Sequence, residues 1–584
     1  MLKMRKDPLN IIVRGFAICS LTLVSLSSFA VSKAMLPAQA AYAMPDQYSA
    51  TTVEAILNKG GNAIDAAVAA GFVLAVTYPE AGNLGGGGFM SLFMADKNEN
   101  SQQKLFLDYR EKAPLAASQD MYLDKDKNVI PYKSLVGYQA SGVPGTVMGL
   151  WKAHQRFGVL EWSALLKPAI QYAEKGFTVS PQLENRSQWF AGWIVDKSPV
   201  KLNFNDYFAN LKIGQNFRQP ELASTLKRIA KNGVQEFYQG HTAELIVKQM
   251  QQADGLITLQ DLARYQAIWR EPVIGEWLGR EIVSAPPPSS GGIAIVQLLK
   301  LKALLQPKLD FAIKEAASQG IDAQVVKTHF YAELEKRVYA DRAHYLGDSD
   351  FIDVPVEQLI SDNYLKQRSL GVLMDEISES ESMKPGKIEI PETTHFSIID
   401  HRGNAVSNTY TLNMPFGNGV VIEGAGFLMN DEMDDFSTKP GVANVFGVVG
   451  GTANAIAPEK RMLSSMSPTI VLKGGEVEMV VGTPGGSTII TSVFQTIVNV
   501  VEEAMDAQQA VDAPRVHHQL LPKNQIAYNP ELPEAVKDEL LAMGYSLKKN
   551  NYMGDVQLII KTDSGYEAAA DYRGEGVANT LFIK

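Results

Sequence analysis

Residues 393–411 predict a β-hairpin that brings two threonines side by side. β-Branched and aromatic residues run from Thr393 to Asp400, the next four residues (His-Arg-Gly-Asn) are typical of a turn, and a second strand follows from Ala405 to Thr411. Strands of a hairpin pair antiparallel, so Thr411 returns beside Thr393. Residues 375–392, directly before the hairpin, are acidic, polar and proline-containing, which is typical of an exposed, protease-accessible linker.

The length and charge of the chain limit its class. A chain of 584 residues can bury a large core and is long enough for two or more domains. Its composition is that of a folded protein, and a formal charge of -10 disfavours a nucleic-acid partner.

The N-terminus predicts a secretory signal over residues 1–40. Basic residues precede an uncharged run from Gly15 to Ser32, and small-residue sites follow at Ala38-Gln39-Ala40 and Ala41-Tyr42-Ala43. The run is close to spanning length, so an uncleaved membrane anchor is the alternative, but no later segment has the apolar length to span a bilayer. Cleavage would remove Cys19, the only cysteine, and leave neither a disulfide nor a thiol nucleophile. We therefore expect an exported protein, periplasmic or secreted, with no stable membrane insertion.

Two glycine-rich turns have different interpretations. The four consecutive glycines 85–88 lack the lysine and hydroxyl ending of a P-loop, which disfavours nucleotide binding. The turn 482–487 lies between a strand and a helix predicted over Thr488–Glu503. Backbone N–H groups there, aimed by a helix N-terminus, can bind an anion or oxyanion, although ordinary turn chemistry explains the glycines as well. Between these turns, residues 145–380 are mostly helical by pattern.

A series of motifs in fixed order resembles the γ-glutamyltranspeptidase (glutathione hydrolase) family of the bacterial type. The resemblance covers essentially the whole chain after the signal. Its motifs are residues 62–89, 107–111 (LDYRE), 141–145 (SGVPG), 393–397 (TTHFS), 411–413 (TLN), 430–437 (NDEMDDFS), 439–441 (KPG), 461–469 (RMLSSMSPT), 482–487 (GTPGGS) and 513–519 (APRVHHQ).

The resemblance implies an α+β fold, the four-layer αββα sandwich of N-terminal-nucleophile hydrolases, with two subunits from one precursor. The bond Glu392–Thr393 would be cleaved by Thr393 itself, giving a large subunit of residues 41–392 and a small catalytic subunit of residues 393–584 that form a heterodimer. Thr393 would then carry the nucleophilic hydroxyl and a free α-amine. Since an α-amine has a pKa of about 7.7–8.0, this amine can serve as the base near neutrality.

The resemblance also assigns the other site residues. Thr411 would orient the amine of Thr393, and the N–H groups of Gly485 and Gly486 would form the oxyanion hole. The glutamyl α-carboxylate would be held by Arg110, Ser464 and Ser465, and the α-ammonium by Asn413, Glu432 and Asp435. The expected donors are glutathione and other γ-glutamyl compounds; the expected acceptors are water and amino acids or dipeptides. No cofactor and no metal site are expected.

One residue departs from the best-known bacterial pattern. Residues 438–451 match a lid loop, and Phe446 stands where a tyrosine usually hydrogen-bonds the asparagine that matches Asn413. Phenylalanine can pack but cannot donate, so we predict a looser lid. A Phe446→Tyr variant with unchanged acceptor kinetics and lid order would contradict this hypothesis.

Two alternatives remain open at this stage. The same fold and nucleophile serve glutaryl-cephalosporin acylases, whose glutaryl group has no α-ammonium; a non-enzymatic binding or scaffold protein is the other reading.

His395 is expected to be structural because the amine already provides the base, and His517 and His518 are poor joint metal ligands because neighbours on a strand point to opposite faces. The helical residues 339–342 (YADR) are interpreted as a structural ion-pair element.

Overall fold

The computed structural model describes residues 40–96, 101–198, 200–378, 393–439 and 451–583. The predicted signal up to residue 39, the bond partner Glu392 and the lid residue Phe446 lie outside these ranges. Within them, no helix is both long and apolar enough to cross a membrane.

The secondary structure alternates between strands and helices in the described chain. The strands are β1 Ala40–Met44, β2 Gly87–Met94, β3 Gln103–Tyr109, β4 Phe177–Thr178, β5 Asn216–Phe217, β6 Ile268–Arg270, β7 Val273–Trp277, β8 Arg280–Ser284, β9 Thr394–Ile399, β10 Ala405–Thr411, β11 Thr469–Lys473, β12 Glu476–Gly482, β13 Arg515–His517, β14 Gln525–Asn529, β15 Ser546–Lys549, β16 Gln557–Thr562, β17 Gly565–Ala570 and β18 Val577–Leu581. The α-helices are α1 Gln47–Asn58, α2 Ala63–Thr77, α3 Thr146–Phe157, α4 Trp162–Lys175, α5 Pro181–Lys197, α6 Phe204–Tyr207, α7 Pro220–Asn232, α8 Gln235–Tyr238, α9 His241–Met250, α10 Leu259–Arg264, α11 Gly291–Ser318, α12 Ala323–Tyr345, α13 Val356–Leu359, α14 Asp362–Ser369, α15 Thr488–Val501, α16 Ala507–Asp512 and α17 Glu534–Ala542.

Two large sheets form the centre of the molecule. The first has the strand order β18-β1-β9-β10-β2-β3-β6, and the second has the order β17-β16-β12-β11-β8-β7. Apolar residues such as Phe93, Ile399 and Val480 pack between the two sheets. Helices including α1, α2 and α4 share a core with the outer face of the first sheet, while α11, α12 and α15 share one with the second. The expected four-layer αββα sandwich is confirmed.

The predicted hairpin is the middle of the first sheet. β9 and β10 pair antiparallel, with Thr394 opposite Tyr410, and every residue of both strands is buried. On its other side β9 pairs with β1. A strand that is paired on both sides and packed on both faces has little freedom to move. The residue that directly precedes β9, Thr393, is therefore held in a fixed position.

Some elements follow directly from local sequence. Asn62 caps α2 and forms a reciprocal capping box with Asp65, as expected for an asparagine three residues before an acid. The region 145–380 is more mixed than its pattern predicts, because β6, β7 and β8 lie within it and extend the two large sheets. These strands have only three to five residues, too few to give a clear periodic signal.

Candidate active site

Thr393 lies immediately before β9 with its side chain almost enclosed. It is 7% exposed, and its hydroxyl donates to the hydroxyl of Thr411 across the hairpin at 3.4 Å. The backbone N–H of Asn413 also donates to Thr411 Oγ1, at 2.8 Å. The hairpin therefore brings the two threonines together, as the sequence predicted.

His395, two residues further along, is held as a neutral structural group. Its ring nitrogens contact the hydroxyls of Thr409 at 2.7 Å and Ser397 at 3.1 Å. Burial lowers the pKa of His395 to about 3. A side chain on Gly482 of the opposing sheet would overlap the His395 ring, so the absence of a Cβ there permits the close approach of β12 to β9.

The glycine turn continues from Gly482 into α15. Gly485 has φ of 136° and Gly486 has φ of 53°, values that favour glycine. Thr488 closes the turn by donating both its N–H, at 3.1 Å, and its hydroxyl, at 2.8 Å, to the carbonyl of Gly485. The tyrosine hydroxyl of Tyr339 on α12 donates to the carbonyl of Ser487. The turn is thus fixed by α12 as well as by its own helix.

Arg110, at the end of β3, is surrounded by three carboxyl groups. Its Nη1 lies 2.5 Å from Oε2 of Glu432 and 3.6 Å from Oε2 of Glu111, and its Nη2 forms an ion pair with Asp435. Arg110, Glu111 and Glu432 are buried, and Asp435 is 16% exposed at its side chain. We call these four residues the acidic cluster. The resemblance assigned Arg110 to the α-carboxylate of the ligand and Glu432 and Asp435 to its α-ammonium, and in the structure these side chains contact one another.

The acidic cluster has too few hydrogen-bond donors for its carboxyl oxygens. Arg110 Nη1 is close to Glu432 but is not aligned for a hydrogen bond, and among the described residues both oxygens of Glu432 and both of Glu111 have no donor. Burial raises the pKa of Glu111 to about 8 and raises those of Glu432 and Asp435, although Arg110 opposes each increase. Burial therefore favours the neutral form of these carboxyl groups, and a cation beside them would favour the ionised form.

Asn413 occupies a strained position between the threonine pair and the acidic segment. Its φ is 82°, in the left-handed region, and its side-chain amide donates to the backbone oxygen of Asp431 at 3.0 Å. Asp431, which the sequence reasoning did not assign, also accepts from the N–H of Met414 at 3.0 Å. Its position inside the motif 430–437 is the sequence feature that could have indicated a role for Asp431 in the site.

Ser464 and Ser465 reach the site from the loop before β11. The backbone of Ser464 is joined to the turn before α11: its N–H donates to Pro288 and its carbonyl accepts from Ser290. Its hydroxyl accepts from the N–H of Met466 at 3.1 Å. The hydroxyl of Ser465 accepts from Arg342 of α12 at 3.1 Å. Sequence reasoning missed this contact, because it treated residues 339–342 as an ion-pair element.

Comparison with known proteins agrees with this geometry. The family model described as gamma-glutamyltranspeptidase matches residues 49–581. The chain belongs to the gamma-glutamyltranspeptidase family. Among curated relatives of this family it is 56% identical, over 92% of its length and 94% of the relative's, to a glutathione hydrolase proenzyme of Pseudomonas aeruginosa.

Solved structures give the same result for the fold. A gamma-glutamyltranspeptidase from Pseudomonas nitroreducens complexed with L-DON is 50% identical and matches with a TM-score of 0.53, covering 58% of this chain and 96% of that one. A cephalosporin acylase from Bacillus halodurans matches with a TM-score of 0.79 at 24% identity, over 94% of this chain and 96% of that one. At that identity the second likeness concerns the fold alone.

Proposed function

We propose that this family member is a γ-glutamyltransferase and glutathione hydrolase that first cleaves itself between Glu392 and Thr393. The hydroxyl of Thr393 attacks the carbonyl carbon of Glu392, the peptide C–N bond breaks, and water hydrolyses the resulting ester. The products are a large subunit of residues 41–392 and a small subunit of residues 393–584, which remain together as a heterodimer because their strands share both sheets.

The observation that carries this proposal is the position of Thr393. It precedes a doubly flanked central strand, its hydroxyl faces Thr411, and the neighbouring histidine is neutral and occupied by hydrogen bonds to other hydroxyls. A hydroxyl in this position needs a base, and cleavage would create one on the same residue, its own α-amine.

The reaction after cleavage has two balanced steps. The amine of Thr393 takes the hydroxyl proton while Oγ1 attacks the γ-carbonyl, and the N–H groups of Gly485 and Gly486 stabilise the oxyanion. The C–N bond then breaks, and the leaving amine, Cys-Gly when the donor is glutathione, receives the proton. In the second step water or an acceptor amine gives its proton to the Thr393 amine and attacks the ester, which releases glutamate or a new γ-glutamyl amide and restores the hydroxyl.

The acidic cluster favours a glutamyl donor over a glutaryl one. Three carboxyl groups surround one guanidinium, and four carboxyl oxygens in Glu111 and Glu432 lack a hydrogen-bond donor among the described residues. An α-ammonium supplies three donors and a positive charge at this place, whereas a glutaryl group supplies neither. We propose that Asn413, Glu432 and Asp435 receive the ammonium and that Arg110, Ser464 and Ser465 receive the α-carboxylate.

Export to the periplasm or beyond is part of the proposal. The second small-residue site, Ala41-Tyr42-Ala43, falls inside β1, which pairs with β9 and β18. Cleavage after Ala43 would remove most of that strand, so we place the signal cleavage close to Ala40, ahead of the part of β1 that pairs with β9.

The test is the state of the purified protein. We expect two fragments on a denaturing gel, a smaller fragment whose first residue is Thr393, and release of p-nitroaniline from γ-glutamyl-p-nitroanilide but far less from glutaryl-p-nitroanilide. Thr393→Ala should remain one chain and release none.

Thr394→Ala is the matched control. It removes the adjacent buried hydroxyl, which has no hydrogen-bond partner among the described residues, and should still mature and turn over. A single intact chain with full activity, or a Thr393→Ala variant equal to the parent, would refute the proposal; preference for the glutaryl anilide would make the protein an acylase.

A further inference from the structure

The last turn of α12 delivers a second arginine to the site. Arg342 is 6% exposed; its Nε donates to the hydroxyl of Ser290 at 3.0 Å and its Nη2 donates to the hydroxyl of Ser465 at 3.1 Å. Ser290 directly precedes α11, and Ser465 lies in the loop before β11. One planar guanidinium therefore joins two segments that are far apart in sequence.

The neighbouring residue, Asp341, carries the structural ion pair that the sequence predicted here. Its Oδ1 accepts from Tyr364 and from Arg368, both at 2.8 Å, and its Oδ2 accepts from Gln297 at 3.1 Å. These bonds fasten the end of α12 to α11 and α14. Arg342 takes no part in these bonds, so the ion pair of Asp341 does not account for its contacts with the serine hydroxyls.

The hydroxyls of Ser464 and Ser465 accept hydrogen bonds but donate none within the described chain. A serine hydroxyl has one hydrogen to donate. The oxygen of Ser465 already accepts from Arg342, and that of Ser464 accepts from Met466, so each keeps its hydrogen for another acceptor. Within the described chain neither hydroxyl donates to an acceptor. Ser290 differs, since its hydroxyl donates to the carbonyl of Ser464 at 2.7 Å.

Arg342 also acts on the acidic cluster. Burial raises the pKa of Asp435, and Arg110 and then Arg342 oppose that increase through their positive charges. An anionic ligand group beside Ser465 would therefore be next to the guanidinium of Arg342, and Asp435 feels the positive charges of both Arg110 and Arg342. Of the two charged groups on the glutamyl head, only the α-carboxylate suits such a place.

We propose that Arg342 is a positioning residue that directs the hydroxyl hydrogen of Ser465 towards the α-carboxylate of the donor, and that it thereby sets the requirement for that carboxylate. This inference rests on the proposed function. It adds a specificity-determining residue from the large-subunit segment to a carboxylate site formed by the small-subunit serines.

The kinetic test compares two anilides that differ only in the α-carboxylate, γ-glutamyl-p-nitroanilide and 4-aminobutanoyl-p-nitroanilide. For Arg342→Gln we expect KM for the first to rise about tenfold with kcat within about twofold, the scale of one hydrogen bond to a charged group. The second should keep its kcat/KM. Arg342→Lys, which keeps the charge but not the planar fork, should recover part of the preference, and it serves as the test if the glutamine variant does not fold.

Two controls separate this role from a structural one. Arg368→Gln breaks the neighbouring ion pair with Asp341 and should leave the ratio between the two anilides unchanged. In a Ser465→Ala background, Arg342→Gln should add little, because the group through which it acts is gone. An equal loss on both anilides, or a full additional loss in the Ser465→Ala background, would overturn the inference.

Calorimetric titration with L-glutamate keeps the inference separate from the proposed function, since it needs no turnover. We expect binding about tenfold weaker for Arg342→Gln than for the parent, and no such difference for 4-aminobutanoate. If the parent binds L-glutamate in this Arg342-dependent way but cleaves no anilide, the proposed function fails and the inference stands. If it cleaves the anilide but Arg342→Gln binds L-glutamate as the parent does, the inference fails alone.

Discussion

Two clusters of charged residues, most of them buried, lie at the end of β3, and they differ in how their carboxyl groups are hydrogen-bonded. The compensated cluster consists of Asp108, Arg270, Asp348, Asp350 and Arg461, and each of its six carboxylate oxygens accepts a hydrogen bond. The acidic cluster begins two residues later at Arg110, and four oxygens of Glu111 and Glu432 have no donor among the described residues.

The difference separates a structural element from a ligand site. In the compensated cluster, hydrogen bonds from Arg270 lower the pKa of Asp350 while burial raises that of Asp348; in the acidic cluster, burial raises the pKa of Glu111 to about 8. Burying charge is costly unless each group is paired and hydrogen-bonded. The carboxylates of the compensated cluster meet this condition by themselves, although Nε and Nη1 of Arg461 have no hydrogen-bond partner among the described residues. The carboxyl groups of the acidic cluster would meet it only with a cation bound. The following predictions test this contrast.

The largest effect is expected from Arg461→Gln in the compensated cluster. Arg461 is fully buried, its Nε lies 3.3 Å from Asp108, and its Nη2 donates to the carbonyl of Gln266. Removing one partner of a buried ion pair is strongly destabilising even though Asp108 keeps its hydrogen bond from Arg270, so the free energy of unfolding should fall by about 3–5 kcal/mol. Urea denaturation measures this, and a loss of activity without a loss of stability would contradict it.

Arg110→Gln should have the opposite effect: a large loss of activity and little change in stability. Its three carboxyl neighbours already have raised pKa values and can take up protons, so stability should change by less than about 1 kcal/mol. The value of kcat/KM for γ-glutamyl-p-nitroanilide should fall about 100- to 1000-fold, the cost of removing a buried charged partner of the ligand. Arg110→Lys should recover little, since it lacks the planar fork. Equal destabilisation by Arg110→Gln and Arg461→Gln would remove the distinction between the clusters.

Glu432→Gln should weaken recognition while leaving the fold intact. The change replaces a buried carboxyl group whose oxygens have no donor among the described residues, so the stability should stay the same or rise slightly. KM for the glutamyl anilide should increase about tenfold, because the α-ammonium loses an anionic partner. The ratio of glutamyl to glutaryl turnover measures the effect, and an unchanged ratio would assign the ammonium to other residues.

The smallest expected effect is a change in how the melting temperature depends on pH. The pKa of Glu111 is raised from the ordinary 4.5 to about 8, so the folded state holds a proton that the unfolded chain has released. This contribution to stability is complete below about pH 4.5 and disappears as the pH rises towards 8. Glu111→Gln should therefore flatten the decline of the melting temperature between pH 5 and 8.

The control for the pH experiment is Glu333→Gln. Glu333 is also buried, and although burial raises its pKa, Lys336 and Arg337 lower it to about 2. Its stabilising effect is complete above about pH 4.5 and is lost only as the pH falls towards 2. The variant should lose stability evenly between pH 5 and 8 without a change of slope; an equal flattening by both substitutions would contradict the assignment to Glu111.

Much of the fold was accessible from the sequence. The strand Ala405–Thr411 has the bounds predicted for it, the capping box at Asn62 begins α2, and the glycine turn lies between β12 and α15. Each of these depends on interactions between residues a few positions apart. The strands β6 to β8 were missed because they are short and take their place from the sheets they join.

The candidate site likewise contains residues that could be predicted from the sequence and one that could not. Residue order alone led to Thr393, Arg110, Glu432 and the serine pair through the family resemblance, and the hairpin made the contact with Thr411 predictable. The role of Arg342 was not predictable, because the same four residues, 339–342, contain both a structural carboxylate and a guanidinium that reaches Ser465.

The sandwich, the family and the threonine that directly precedes the central strand could therefore be predicted without the structure. Which buried carboxyl groups accept hydrogen bonds and which do not depends on the folded arrangement and was not predictable. This is because hydrogen-bond donors for a carboxylate come from whichever segments fold against it: Asp108 accepts from Arg270, while Glu111, three positions along, has Arg110 at 3.6 Å but accepts no hydrogen bond in the described chain.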